Sequence, residues 1–369
     1  TALNLLANSH NGISAFLEKD QIRLLTGDTK NGERVEIAEG LKSGRIKLII
    51  GTHALIEDPV VFQNLQMVVI DEQHRFGVAQ RSALRVKGNN PHLLAMTATP
   101  IPRSLQLTIF GDLDVSVMDE MPAGRLPIQT SVMYPHERNL VYQKIREQVS
   151  AGHQAFVIYP LVEQGEKEEV KAAVEEQVRL QNEVFTDLRV GLVHGRMKPA
   201  EKDAVMRGFR DKEFEILVST SVVEVGVDIP NATMMVIEGA NRFGLAQLHQ
   251  FRGRVGRGEA QSYCVLVPDN DNAAENERLN VMTQTNDGFF LAEKDLEQRG
   301  PGDFLGTRQA GFANLKMANL ADVKLILKAR AIADALYKID PEFNLEENRL
   351  LKQAVAAFWP GGNGNGDVS

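Results

Sequence analysis

The stretch Met67-Val68-Val69-Ile70-Asp71-Glu72-Gln73-His74 constrains the fold more than any other part of the chain. Four apolar residues without alternation suit a strand covered on both faces, as in a parallel sheet flanked by helices. The run stops abruptly at two carboxylates, an amide and an imidazole. In open α/β sheets the ligand crevice lies beyond the carboxyl ends of the strands, where Asp71 and Glu72 are expected to project. Phosphoryl transfer in such a crevice needs a hard oxygen ligand for Mg²⁺ and a group that positions or deprotonates the attacking water. Adjacent carboxylates can divide those roles, Asp71 holding the metal and Glu72 facing the water. A strand followed by a polar turn would carry the same two residues, so the rest of the chain has to decide.

Upstream and downstream of that strand, strand-like and helix-like segments alternate to about residue 120. Ile22-Arg23-Leu24-Leu25 reads as a strand and Thr26-Gly27-Asp28-Thr29 as the turn after it. Residues 33–43 carry Val35, Ala38 and Leu41 at helical spacing, with Gly44 placed to end the helix. Leu48-Ile49-Ile50 is a further strand closed by Gly51-Thr52-His53, and Leu93-Leu94-Ala95-Met96 runs into Thr97-Ala98-Thr99-Pro100. This alternation implies a parallel, doubly wound sheet. Each strand ends in small hydroxylic or glycine residues that let a ligand approach the backbone.

Pro122-Ala123-Gly124-Arg125-Leu126-Pro127 is the expected linker, after which the same grammar restarts. A helix over 136–151, a strand at Phe156-Val157-Ile158-Tyr159 and an acidic, lysine-rich helix over 166–183 come first. Strands at 190–195, 216–220 and 234–237 follow, giving a second α/β domain over about 126–270. Its most telling stretch is Gln247-Leu248-His249-Gln250-Phe251-Arg252-Gly253-Arg254-Val255-Gly256-Arg257-Gly258. Gln250, Arg254 and Arg257 are spaced i, i+4, i+7, so one helix would align them in a stripe. Two guanidiniums on one face can clamp charge developing on a γ-phosphate. From 271 to 358 the chain reads as helical: a hairpin (275–284 and 289–298), a glycine-rich loop (299–311) and two long helices (320–338 and 342–358). The glycine- and asparagine-rich tail 361–369 is expected to be disordered.

A chain of 369 residues is too long for one ordinary domain. The single cysteine, Cys264, excludes a disulfide framework and a cysteine-based zinc site, and its strand-like surroundings suit a buried thiol. A net charge of −8 argues against a general polyanion-binding surface but leaves room for a local basic stripe. The sequence holds neither a signal-peptide pattern nor an apolar run long enough to span a bilayer. It begins Thr1-Ala2-Leu3-Asn4, without a methionine, and is expected to be a fragment whose beginning is missing.

Four motifs in order, Asp71-Glu72-Gln73-His74, Thr97-Ala98-Thr99, Ser219-Thr220 with Gly226-Val227-Asp228, and Gln250-x-x-Gly253-Arg254-x-Gly256-Arg257, resemble those of superfamily-two helicases. The 299–311 loop and its preceding hairpin are similar to the translocation motif of the bacterial RecG branch-migration helicases, an element shared with the related transcription-repair coupling factor. The resemblance covers nearly the whole chain. It implies two RecA-like parallel-sheet domains of the P-loop type, 1–123 (truncated) and 124–270, then a helical region over 271–360. It implies ATP and Mg²⁺, with Asp71 on the metal, Glu72 activating water, and Arg254 and Arg257 as fingers. Gln250, Gly226 and Asp228 would meet nucleotide, and His74, Thr97 and Thr99 would couple hydrolysis to movement. Thr52, Ser219 and Thr220 would approach the DNA backbone, and Arg299, Arg308 and Gln309 would serve translocation.

The resemblance further implies a monomer acting on branched double-stranded DNA (Holliday junctions and replication forks) in the bacterial cytoplasm. Single-stranded DNA-binding protein is a candidate partner, and no membrane is involved. The departure is large: no G-x-x-x-x-G-K-[ST] occurs anywhere in the sequence, so the phosphate-cradling loop and its lysine are missing. The chain is therefore expected to hold half an ATP site, and alone to be a poor ATPase. A translocase that pushes RNA polymerase and a non-hydrolysing nucleic-acid-binding module are the alternatives.

Overall fold

Strands and helices alternate in the computed structural model, which describes residues 17–57, 59–72, 78–100, 114–118, 120–121, 124–160, 166–220, 229–271, 277–299 and 323–358. The chain divides into two units, 1–98 and 99–369.

In the first unit β1 (Ile22–Leu25) pairs in parallel with β2 (Leu48–Gly51), and β3 (Met67–Ile70) with β4 (His92–Ala95). Helix α1 (Asn31–Lys42) connects the first pair and α2 (Val78–Val86), absent from the sequence reading, the second. Ile37 and Leu41 of α1 are buried with Leu25, Ile46, Ala54 and Val60. Gly44 ends the helix at φ +72°, a backbone conformation that favours glycine. The described strands of this unit form two parallel pairs, as the parallel α/β expectation requires. The expectation that β3 is covered on both faces differs from what the described residues show: Val68 and Ile70 pack with Leu84 of α2, while Met67 and Val69 are 57% and 54% exposed. The described residues supply a helix for one side of this strand and nothing for the other.

The second unit contains the complete version of the same design. It runs β5 (Gln129–Val132), α3 (Arg138–Ser150), β6 (Gln154–Ile158), α4 (Glu166–Arg179) with a π turn at Leu180–Val184, β7 (Val190–Val193), α5 (Pro199–Arg210), β8 (Ile216–Ser219), β9 (Ala232–Glu238), α6 (Leu245–Arg252) and β10 (Tyr263–Val267). These strands make one six-stranded parallel sheet in the order β5-β10-β9-β6-β8-β7. Alternate residues of each strand enter separate cores. Phe156, Ile158, Leu217, Met235, Ile237 and Leu266 lie in one, and Val157, Ile216, Val218, Met234, Val236 and Val265 in the other. Both faces are buried, which is why the strands read as continuous apolar runs. Cys264 is fully buried in the first core, and burial pushes its thiol up to about 12.

The expected hairpin is present as α7 (Glu277–Gln284) and α8 (Gly288–Arg299), and it extends that first core through Leu279, Met282 and Leu291. Of the last two helices, α9 spans Val323–Ile339 and α10 spans Arg349–Phe358, a later start than expected. The difference is a turn built on Asp340, whose carboxylate accepts from Asn344 N, Leu345 N and Asn348 Nδ2, with Phe343 at φ +52°. Residues 122–123 of the expected linker, the 300–311 part of the glycine-rich loop and the tail lie outside the described residues. No helix among the described residues is long and apolar enough to cross a membrane.

Candidate functional site

The predicted residues of the first unit gather at the carboxyl ends of its strands. Asp71 directly follows β3 and is exposed, and Glu72 is half-buried. Glu72 adopts φ +50°, a left-handed conformation that costs a non-glycine residue on the order of 1 kcal/mol and is found disproportionately at functional sites. Its N–H donates to Asp71 Oδ1 at 2.8 Å, closing the turn and fixing the carboxylate. Met96 N donates to Ile70 O at 2.8 Å, which extends the β3–β4 ladder and holds the half-buried Thr97 one residue beyond it. Thr52 is exposed after β2, its N–H donating to Leu25 O at 3.2 Å. His74 lies outside the described residues.

In the second unit Ser219 ends β8 and Thr220 follows it, and both are buried. Ser219 Oγ donates to the Thr220 carbonyl at 2.7 Å, and among the described residues Thr220 Oγ1 has no hydrogen-bond partner. Gly226 and Asp228 lie outside the described residues, as do Arg308 and Gln309; Arg299 is the last residue of α8, and its side chain is not described. Gln250 sits on α6, and its Nε2 donates to Thr99 Oγ1 at 2.5 Å, joining two of the predicted positions.

The expected arginine stripe needs correction. Helix α6 stops at Arg252, so Arg254 lies in the following turn and Arg257 beyond Gly256, which has φ +75°. A helix cannot pass through that conformation, and a Cβ at 256 would stand 2.9 Å from Ile128 Cγ1. The backbone instead turns so that Arg257 Nε donates to Gly253 O at 3.2 Å. Both arginines are half-buried.

Sequence reasoning missed Arg252 and His249. Arg252 is 1% exposed; its Nη1 donates to Met282 O and Thr285 O, both at 2.9 Å. Because a guanidinium only donates, Nδ1 of His249, 2.9 Å from Arg252 Nη2, must be the acceptor, which fixes a neutral imidazole. Burial first, and then the neighbouring Arg252, holds His249 down to about 4. The available signal was the spacing: Arg252 falls at i+4 from Leu248, on the stripe that points inward.

Similarity to known proteins follows this geometry. Residues 3–108 match the family described as DEAD/DEAH box helicase, 137–259 the helicase conserved C-terminal domain, and 285–358 the C-terminal part of domain 3 of the ATP-dependent DNA helicase RecG. The chain is 54% identical over 332 residues to the ATP-dependent DNA helicase RecG of Synechocystis, covering 90% of this chain and 40% of that protein. With the protein of the same description from Bacillus subtilis it shares 47% over 361 residues, covering 95% of this chain and 53% of that one.

Along nearly its whole length this chain is similar to RecG.

It spans about half the length of the curated RecG relatives it matches. A solved RecG bound to a three-way DNA junction superposes with a TM-score of 0.63 at 49% identity, over 77% of this chain and 37% of that one. A more distant helicase, MrfA, superposes at a TM-score of 0.55 with 19% identity, a likeness of fold alone. The donor set at the end of β3 fits a nucleotide-bound Mg²⁺. Among the described residues no cluster of three or more metal-binding side chains exists, while Asp71 offers an exposed carboxylate with one oxygen already fixed by Glu72 N. Mg²⁺ is commonly held by one or two carboxylates, with phosphates and water completing the shell.

Proposed function

We propose that this chain is the motor part of an ATP-dependent DNA helicase, a double-stranded DNA translocase that branch-migrates Holliday junctions and remodels stalled replication forks in recombination and repair. The observation that carries it is the Asp71–Glu72 turn at the end of β3, in a chain about half identical to RecG helicases along nearly its whole length. In this reading the motor has three parts, 1–123, 124–270 and 271–360. Asp71 would hold Mg²⁺ and Glu72 would orient and deprotonate the attacking water. When bound, the metal supplies charge neutralisation at the β- and γ-phosphates.

Arg254 and Arg257 stabilise charge on the γ-phosphate, and Gln250, Gly226 and Asp228 bind nucleotide. The Gln250–Thr99 hydrogen bond supports a coupling role for Thr99 beside Thr97 and His74. Thr52, Ser219 and Thr220 track the DNA backbone, with Arg299, Arg308 and Gln309 driving translocation. The partners are branched duplex DNA and single-stranded DNA-binding protein, met by a monomer in the bacterial cytoplasm.

The experiment is ATP-driven branch migration of a synthetic Holliday junction by the protein at its relatives' full length. Junction dissociation requiring ATP and Mg²⁺ is expected. Tight junction binding with no ATP-dependent movement would replace the motor with a binding module.

A further inference from the structure

The loop after β1, Thr26-Gly27-Asp28-Thr29, has no part in the assignments above, yet it is held more tightly than a connector requires. Thr26 N donates to Thr29 Oγ1 at 2.9 Å and Thr29 N to Thr26 O at 3.2 Å, which closes the turn from both ends. Beneath it lies Arg34 of α1. Its Nε donates to Thr29 O at 3.0 Å, and its Nη2 to Thr26 O at 2.9 Å and Gly27 O at 3.1 Å. One guanidinium thus binds three backbone carbonyls of a four-residue loop. Its Nη1 donates to Glu57 Oε2 at 3.2 Å, and the Glu57 and Val60 carbonyls are in turn held by Lys87 Nζ at 2.7 and 2.8 Å. The carboxylate therefore reaches Arg34 from a segment that is itself fixed.

This clamp dictates what the loop presents. In a trans peptide the N–H of the following residue points opposite the carbonyl. With the Thr26 and Gly27 carbonyls turned to Arg34, the N–H groups of Gly27 and Asp28 face away from it. Successive outward N–H groups form a concave anion-binding surface. Gly27 and Asp28 are exposed, and no atom lies within 4 Å of where a Gly27 Cβ would be. The β1–β2 register sets Leu25 beside Gly51, so the exposed Thr52 stands on the same edge, one strand spacing away, about 4.8 Å. Gly51 is itself required: a Cβ there would collide with the backbone oxygen of Leu25.

We propose that Arg34 is a positioning residue for DNA: it holds the 26–29 loop so that the Gly27 and Asp28 N–H groups, with Thr52, grip phosphates of one strand. The inference rests on the proposed translocase function. Neutral backbone donors beside a hydroxyl contact DNA without reading bases, as a motor working on any sequence needs.

The test is DNA-stimulated ATPase of the full-length protein, titrated with forked DNA, for wild type, Arg34→Ala, Arg34→Lys and Glu57→Gln. Arg34→Ala should raise the half-saturating DNA concentration about tenfold, with kcat at saturating DNA within about twofold of wild type. Arg34→Lys should recover little, because one ammonium nitrogen cannot reproduce the spread Nε and Nη donors that serve three carbonyls and Glu57 together, and Glu57→Gln should shift half-saturation less. The slope of log affinity against log salt should stay that of wild type, since Arg34 touches no phosphate. A slope shallower by about one would make Arg34 a phosphate contact and overturn the positioning role. So would kcat falling in step with DNA affinity, the mark of damaged folding. Unchanged half-saturation in Arg34→Lys and Glu57→Gln, both expected to fold, overturns the assignment even if Arg34→Ala is insoluble. A wild-type protein without DNA stimulation would overturn the translocase function and this inference together.

Discussion

The sheets of the two units are written in the same sequence grammar and end differently. In β3, Met67-Val68-Val69-Ile70 is as apolar as Ile216-Leu217-Val218 of β8. All four residues of β8 are buried, whereas β3 alternates, with Met67, Val69, and Leu24 and Ile50 of the β1–β2 pair more than 40% exposed. An apolar run specifies a strand whose burial is worth about 25 cal/mol per Å² wherever cover exists. Whether cover exists depends on residues far away in sequence. The second unit supplies helices to both faces of its sheet from within itself. Among the described residues the first unit supplies one face.

The sharpest contrast is chemical. Arg257→Ala in the full-length protein should lower kcat by roughly 10³, with nucleotide affinity less affected, because in the role proposed for it the guanidinium would meet its charge only in the transition state. Arg257→Lys should rescue little. Steady-state ATPase with a nucleotide-binding titration checks both; normal turnover would make the segment after α6 a surface turn.

Packing comes next. Phe156 is 1% exposed and stacks edge-on against Phe209 at 4.9 Å between centroids, so Phe156→Ala should cost about 3–5 kcal/mol in chemical denaturation. Val69→Ala in the first unit of this chain should cost under about 0.5 kcal/mol. If the two costs were alike, the open face of β3 would be covered by residues other than those described.

Acid should act on the second unit through His249. The unfolded imidazole titrates near 6.5 and the folded one near 4, so between those values the unfolded state binds more protons and stability falls as pH falls. The loss is at most about 3 kcal/mol, complete below pH 4 and absent above 6.5. Urea midpoints at pH 7.5 and 5 should differ accordingly, and His249→Gln should shrink the difference. An unchanged pH dependence in that variant would place the sensitivity elsewhere.

Much of this was legible in the sequence because apolar runs and helical spacing are local signals. Strands at 22–25, 67–70 and 216–219 and the hairpin helices lie close to where their residues placed them. β5 was not legible: Gln129-Thr130-Ser131-Val132 is mostly polar and is a strand only by pairing with distant β10. The end of α6 was misread because Gly256 answers to Ile128, far upstream in sequence. Arg252 went unnoticed since a charge reads as surface until three carbonyl and hydroxyl oxygens and an imidazole are found around it. Of the candidate site, residue types and order were legible, but the left-handed turn at Glu72 and the Gln250–Thr99 contact were not.

The most direct measurement compares ATP hydrolysis by the 369-residue chain with that of the protein at its relatives' full length, each with and without a Holliday junction. The chain carries the Asp71–Glu72 turn and both arginines but no phosphate-loop sequence, the usual source of the main β- and γ-phosphate contacts. It should hydrolyse ATP near background whether or not DNA is present, while the longer protein should be strongly stimulated by the junction. DNA-stimulated turnover by the 369-residue chain alone, comparable to a complete helicase, would contradict the claim that it holds half an ATP site.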